Sequence, residues 1–196
     1  RWNVELAARD SAALDFAGFT STVAGRVRHG GFLGDSELFD HGIFAISTAE
    51  AAAMDPQQRQ LLQQGYLALH TAGHTRIGLG RSNLAVNIGQ WASEFGSVVK
   101  SSPLARSVYA STGFSCSAAC GRVSFVLGLQ GPCASFDTAC SASLVANHSS
   151  VRALQRFECE TALSAGVNML LDQMTNFSNA TGGFTSLKGR SHTFDT

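Results

Sequence analysis

The 196-residue chain has no excess charge of either sign: 14 Lys and Arg balance 14 Asp and Glu. A nucleic-acid binder normally carries a basic surplus, so that class is disfavoured, and nothing favours an anionic membrane surface. Charge is sparse altogether, at 14% of residues against about 25% in ordinary soluble domains. No apolar run approaches the ~18 residues of a membrane helix. No Cys-x-x-Cys pair occurs, and no His follows Cys116 and Cys120 at ligand spacing, so no zinc or other metal site is expected. The chain opens Arg1-Trp2-Asn3-Val4, without Met and without a charged-then-apolar leader, and no secretory signal is read in it. It stops at Phe194-Asp195-Thr196 with no closing element. The two ends together predict an interior segment of a longer protein. Internal repeats and low-complexity tracts are absent.

Hydrophobic residues are plentiful, at 44%, so the chain is folded rather than disordered. Ample apolar content with little charge predicts much surface buried, in a core or against a partner. The cysteines number five, an odd count that suits no disulfide framework. A reduced, cytoplasmic setting is the simpler reading. Three Asn-x-Ser/Thr triplets, at Asn147, Asn176 and Asn179, are read as unmodified, Asn147 falling inside a predicted helix.

Residues 1–35 read as irregular. A first clear helix opens at Asp55-Pro56-Gln57-Gln58, where Asp55 can cap, Pro56 suits the first helical position and Gln58 stands where a capping box returns its bond. Leu61, Leu62, Tyr66 and Leu69 give it one apolar stripe, and Gly73 a stop. Residues 83–89 read as a buried strand. Ser115 to Leu127 forms a second helix ended by Gly128, Cys133 to Thr138 a strand, Cys140 to about Arg156 a third helix, and Thr161 to Met169 another strand. Alternation of helix and strand predicts an α/β architecture with a largely parallel sheet.

The strand-to-helix turn at Cys140 carries the chemistry. A cysteine in the first turn of a helix meets unpaired backbone N–H groups and the positive end of the macrodipole. Both favour thiolate, which predicts a lowered pKa, and the same N–H groups can face an oxyanion. Ala139, Ser141, Ala142 and Ser143 are small enough to admit a substrate. The arrangement suits acyl transfer through a thioester. A cysteine at such a junction is usually a small buried hydrophobe. The other four cysteines read as core residues, since none joins a strand to a helix start. Six histidines are present, yet none is placed by sequence beside Cys140. His148, eight residues on, lies ~12 Å away along one helix axis, beyond hydrogen-bond reach.

Asp137-Thr138-Ala139-Cys140-Ser141-Ala142-Ser143-Leu144 closely resembles the active-site signature of β-ketoacyl synthases, above all the ketosynthase domains of modular type I polyketide synthases. Similar segments occur in the family's order along nearly the whole chain: Arg28 to Leu33, Phe39-Asp40, Phe44 to Ser47, Met54-Asp-Pro-Gln-Gln-Arg59, Gly121 to Pro132, Ala165 to Asn168, and Gly189-Arg190 to Phe194-Asp195. The resemblance implies the thiolase-like fold, of which residues 1–196 would be the N-terminal half, without its first strand and without the C-terminal half. It implies that Cys140 takes an acyl group from an acyl carrier protein or CoA thioester. Decarboxylative Claisen condensation with a malonyl-type unit then forms a carbon–carbon bond. No cofactor would be tightly bound, substrates arriving on phosphopantetheine thioesters. The family's two assisting histidines and a Phe-Gly turn lie downstream of the matched segments, so only Cys140 is carried over, and the segment alone is expected to be inactive. A homodimer is implied, with Cys133–Thr138 near the two-fold axis. The chain departs from the family in Ser141-Ala142-Ser143 for a run of three serines, Leu187-Lys188-Gly189 for Pro-Asp-Gly, Asn147 for an apolar residue, and an unfamiliar stretch at 90–100. The alternatives are a ketosynthase of fatty-acid synthesis and a non-catalytic ketosynthase-like dimerisation protein, which typically lacks the cysteine. A papain-like hydrolase is disfavoured because the Cys-Gly-Ser/Ala-Cys surround is missing.

Overall fold

The computed structural model describes residues 21–91 and 93–192. The irregular reading of 1–20 and the family-like Phe194-Asp195 lie outside them. In chain order the helices are α1 (Ser21–Arg26), α2 (Thr48–Ala53), α3 (Pro56–Thr71), α4 (Arg76–Leu79), α5 (Phe95–Lys100), α6 (Ala110–Gly113), α7 (Cys116–Leu127), α8 (Ala142–Gln155) and α9 (Gln173–Thr181). The strands are β1 (Leu84–Gln90), β2 (Cys133–Phe136) and β3 (Thr161–Val167), and single 3-10 turns span Pro103–Arg106 and Ala139–Ser141. The chain divides into two compact units. One is Asp35–Met169; the other combines residues up to Gly34 with those from Leu170 on.

The larger unit is built on a parallel sheet in the order β2-β1-β3. Central β1 is buried along its whole length, as a parallel strand covered on both faces must be. Leu84, Val86 and Ile88 point to one face and meet Leu61, Leu62 and Leu69 of α3 with Ala119, Cys120, Val123 and Leu127 of α7. The opposite face carries smaller and more polar side chains. There Ala85 packs with Ala153 and Cys159, and Asn87 Nδ2 donates to Ser150 Oγ at 2.9 Å inside the α8 contact. The sheet is thus sandwiched between α3 and α7 on one side and α8 on the other. Leu144, Val151 and Leu154, on the side of α8 away from this contact, are exposed, as is Phe157 just beyond it.

The predicted stops and starts of α3 and α7 hold. Asp55 caps α3 by accepting from Gln57 N–H at 2.7 Å, and Gly73 and Gly128 follow their helices with φ of 92° and 74°. The capping box does not form. Gln58 is buried, and its amide Nε2 donates instead to the carbonyls of Thr112 and Ser115 at 3.1 and 3.2 Å. Three boundaries also move by two residues: β2 ends at Phe136 rather than Thr138, β3 ends at Val167 rather than Met169, and α8 starts at Ala142 rather than Cys140. In the smaller unit, residues 21–26 are helical where the sequence reads as irregular. There Val23 and Val27 bury against Ala180 and Phe177, and Arg26 Nη1 donates to the Thr185 carbonyl at 3.2 Å. Short α1 has too few residues to announce itself by periodicity.

Candidate active site

The site grows from the C-terminal end of β2. Beyond Phe136 the chain leaves the sheet, and Asp137 Oδ1 accepts from Ala139 N–H at 3.1 Å, closing a tight turn. Ala139 has φ 52°, the left-handed region, without being glycine; that conformation costs about 1–2 kcal/mol. Ser141 Oγ donates to the Thr138 carbonyl at 2.9 Å and lies 2.9 Å from the Thr138 hydroxyl. Cys140 is exposed in the middle of this 3-10 turn, and α8 begins two residues later. The cysteine therefore precedes the α-helix rather than occupying its first turn. The strand, the turn and the helix follow in the order the sequence predicts.

Two glycines set the depth of the turn. Gly89 on β1 and Gly166 on β3 are paired in register. A Cβ on Gly89 would stand 2.3 Å from Ala142 C and Ser143 N, and one on Gly166 would stand 2.4 Å from Ser143 Cβ. The start of α8 thus rests directly on the bare backbone of both strands. Sequence reasoning missed this pair, although the signal was present: a glycine inside a strand marks close approach of another backbone.

The Met54–Arg59 motif serves the rim of the same sheet. Asp55 is fully buried, bonded to Gln57 and to the Ser93 hydroxyl. Gln57 Oε1 in turn accepts from Met169 N–H at 3.2 Å, just past the end of β3. Gln58 Oε1 accepts from Arg122 Nε at 2.7 Å, and Arg122 pairs with Glu50. These side chains brace α2, α3, α7 and the end of β3 against one another.

The remaining cysteines differ from one another. Cys116 is half-buried, donates to the Trp91 carbonyl at 3.6 Å, and has its pKa raised by burial and then by the Asp137 and Asp55 charges. Burial likewise raises buried Cys159. Cys120 is buried in the core as expected. Cys133 is not: it is exposed at the start of β2, because no described strand lies beyond that edge. The Cys120 pKa is lowered to about 6 by a hydrogen bond from Cys133, against the effect of burial, and that of Cys133 is raised. Among the histidines, His41 is engaged with the Ile46 carbonyl at 2.7 Å, and His148 is exposed on α8. No helix among the described residues is long and apolar enough to cross a membrane.

Comparison with known proteins places this geometry. Residues 6–196 match the model of the family described as β-ketoacyl synthase, N-terminal domain. The chain is 42% identical over 166 residues to a phenolphthiocerol/phthiocerol polyketide synthase polypeptide of Mycobacterium tuberculosis, covering 85% of this chain and 11% of that protein. It is 40% identical over 197 residues to the highly reducing polyketide synthase PKS6 of Gibberella zeae, covering 100% of this chain and 7% of that protein. The chain thus spans about a tenth or less of these relatives' length. Among solved structures, the ketosynthase from module 6 of the bacillaene synthase of Bacillus subtilis 168 superposes with a TM-score of 0.75 at 31% identity, over 93% of this chain and 28% of that one. The oxazolomycin ketosynthase domain OzmH KS7 of Streptomyces albus JA3453 gives 0.75 at 34% identity, over 84% and 29%. A strand that delivers an exposed cysteine to the mouth of a helix is thus found in a chain that belongs to the β-ketoacyl synthase family, with the thiolase-like α/β fold of its N-terminal domain and polyketide synthases among its relatives.

Proposed function

We propose that residues 1–196 are the N-terminal half of a polyketide-synthase ketosynthase domain and that Cys140 is its acyl-carrying nucleophile. The observation that carries the reading is the turn itself: a strained Ala139 presents an exposed Cys140 between the end of a buried sheet and the unpaired N–H groups of α8. In this reading the Cys140 thiolate attacks the carbonyl of an acyl thioester delivered on the phosphopantetheine arm of an acyl carrier protein. A tetrahedral oxyanion forms and collapses, expelling the arm's thiolate and leaving the acyl group on sulfur. A malonyl-type thioester then loses carbon dioxide, and the resulting enolate carbon attacks the acyl carbonyl. The new carbon–carbon bond releases Cys140 as thiolate. The two histidines implied by the family resemblance assist these steps from the other half.

The exposed apolar side chains of α8, with Phe157, and the edge of β2, beyond which no strand lies among the described residues, support a half-domain reading. They offer surface to a second half and to a second copy across a two-fold axis. Relatives named as polyketide synthases favour this assignment over a fatty-acid synthase, and the retained Cys140 favours it over a non-catalytic dimerisation protein. Alkylation of the full-length protein by iodoacetamide or cerulenin, followed by peptide mapping, tests it. Cys140 should be labelled first, and acyl substrate should protect it. Labelling of other cysteines while Cys140 stays unmodified would overturn the assignment.

A further inference from the structure

The seam between β1 and α8 is built almost wholly of small residues. Ala85 packs with Ala153 at one end, and at the other Gly89 lets Ala142 and Ser143 rest on bare backbone. The helix buries Ala142, Ala146, Ser150 and Ala153. Apolar attraction has no direction, so these contacts hold α8 close without fixing where it stands along the strand. Asn87 is the exception. It is buried in the middle of β1, a strand covered along its whole length, where asparagine is disfavoured. Its Nδ2 donates to Ser150 Oγ at 2.9 Å, and its Oδ1 accepts from Ser149 Oγ at 3.5 Å. Successive residues of α8 thus hold the two ends of one amide. We propose that Asn87 is a positioning residue for acyl transfer: its amide sets the register of α8 on β1, and with it the place at which Cys140 is presented.

A hydrogen bond has the direction that the rest of the seam lacks, since it weakens steeply outside a narrow range of distance and angle. A rotation of α8 that brought Val151 to the place of Ser150 would leave the Asn87 amide buried without an acceptor, an arrangement far costlier than the bond is worth when made. Ser150 stands eight residues along α8 from Ala142, about 12 Å at 1.5 Å per residue. A helix is stiff over that length, so a slip at Ser150 is carried to Ala142 and to the turn immediately before it, which holds Cys140. Gly89 sets the depth of that turn, and Asn87 sets its place along and around the helix axis. Asn87 itself touches no substrate, being sealed between sheet and helix. The inference rests on the reading of Cys140 as the acyl-carrying nucleophile.

The test compares stability with acylation in the full-length protein. Ser150→Ala removes the acceptor and leaves the Asn87 amide unpaired. Urea stability should fall, and acylation of Cys140 by a saturating acyl thioester should slow about ten-fold or more, within the ~100-fold that a 1 Å misplacement of a reacting group costs. The thioester concentration at half-saturation should not move, because Asn87 and Ser150 do not contact substrate. The double variant Asn87→Leu with Ser150→Ala removes both partners and keeps the branched shape of the asparagine side chain, so stability should return toward wild type while acylation stays slow. Recovery of the rate together with stability overturns the proposal, since a merely structural bond predicts that. So does a wild-type rate in Ser150→Ala, a helix-favouring change that decides the matter even if the double variant does not fold. Wild-type protein that takes no acyl group on Cys140 defeats the nucleophile reading and this inference with it, whereas wild-type acylation that the variants leave unaltered defeats the register alone.

Discussion

Replacing Gly89 by alanine tests how the sheet sets the position of Cys140. The new Cβ would stand 2.3 Å from backbone atoms of Ala142 and Ser143, whereas ordinary contact begins near 3.4 Å. The obstruction is main chain, so no rotamer change relieves it. The start of α8, with the turn that carries Cys140, must retreat by about 1 Å. Overpacking of this kind costs about 1–3 kcal/mol of stability, and a 1 Å displacement of a reacting group costs about 100-fold in rate. Both are measurable in the full-length protein, by thermal or urea unfolding and by the rate of Cys140 acylation. Gly121→Ala is the control, because nothing lies within 4 Å of its Cβ in α7; a helix-interior glycine replaced there should gain about 0.5–1 kcal/mol. Gly166→Ala meets the Ser143 side chain instead, so adding Ser143→Gly should restore part of its loss, whereas Gly89→Ala should not be rescued that way. Unchanged stability together with unchanged acylation in Gly89→Ala would refute the reasoning.

Three further outcomes are expected. Asp55→Ala leaves the Gln57 N–H and the Ser93 hydroxyl without their buried acceptor and should cost about 2–3 kcal/mol in urea unfolding, with the slope unchanged. Asp137→Ala removes the oxygen that closes the turn on Ala139; Cys140 alkylation should slow several-fold while the melting temperature moves little, since the turn is exposed and the core untouched. The Cys120–Cys133 pair should make stability depend on pH. From about 6 up to the ordinary thiol range, the folded pair holds one proton and the unfolded chain two, so stability rises with pH. Above that range the unfolded chain has lost both while the raised Cys133 keeps its own, so stability falls. Melting curves of wild type and Cys133→Ala across this window should diverge, and parallel curves would contradict the shared proton.

Much of the larger unit was legible in the sequence because its signals are local. Asp55-Pro56 and Gly73 punctuate α3, Gly128 punctuates α7, and the unbroken apolar run of β1 marks a central strand. The turn at Cys140 was legible through the strand before it and the small residues after it. What was missed depends on contacts distant in sequence. Gln58 has the right spacing for a capping box, but the loop at Thr112–Ser115 and Arg122 compete for its amide and win. The partnership of Gly89 with Gly166 exists only once β1 and β3 are in register. The short helices α1, α2, α4 and α6 have four to six residues each, too few for periodicity to separate them from loop.

Acyl transfer to a defined sulfur is the most direct test of the account. The full-length protein should be incubated with an acyl thioester, quenched in acid before turnover and mapped by mass spectrometry. The account predicts the acyl mass on the peptide holding Cys140, absent in Cys140→Ala and abolished by alkylation beforehand. An acyl group found on a different cysteine, or retained in Cys140→Ala, contradicts it.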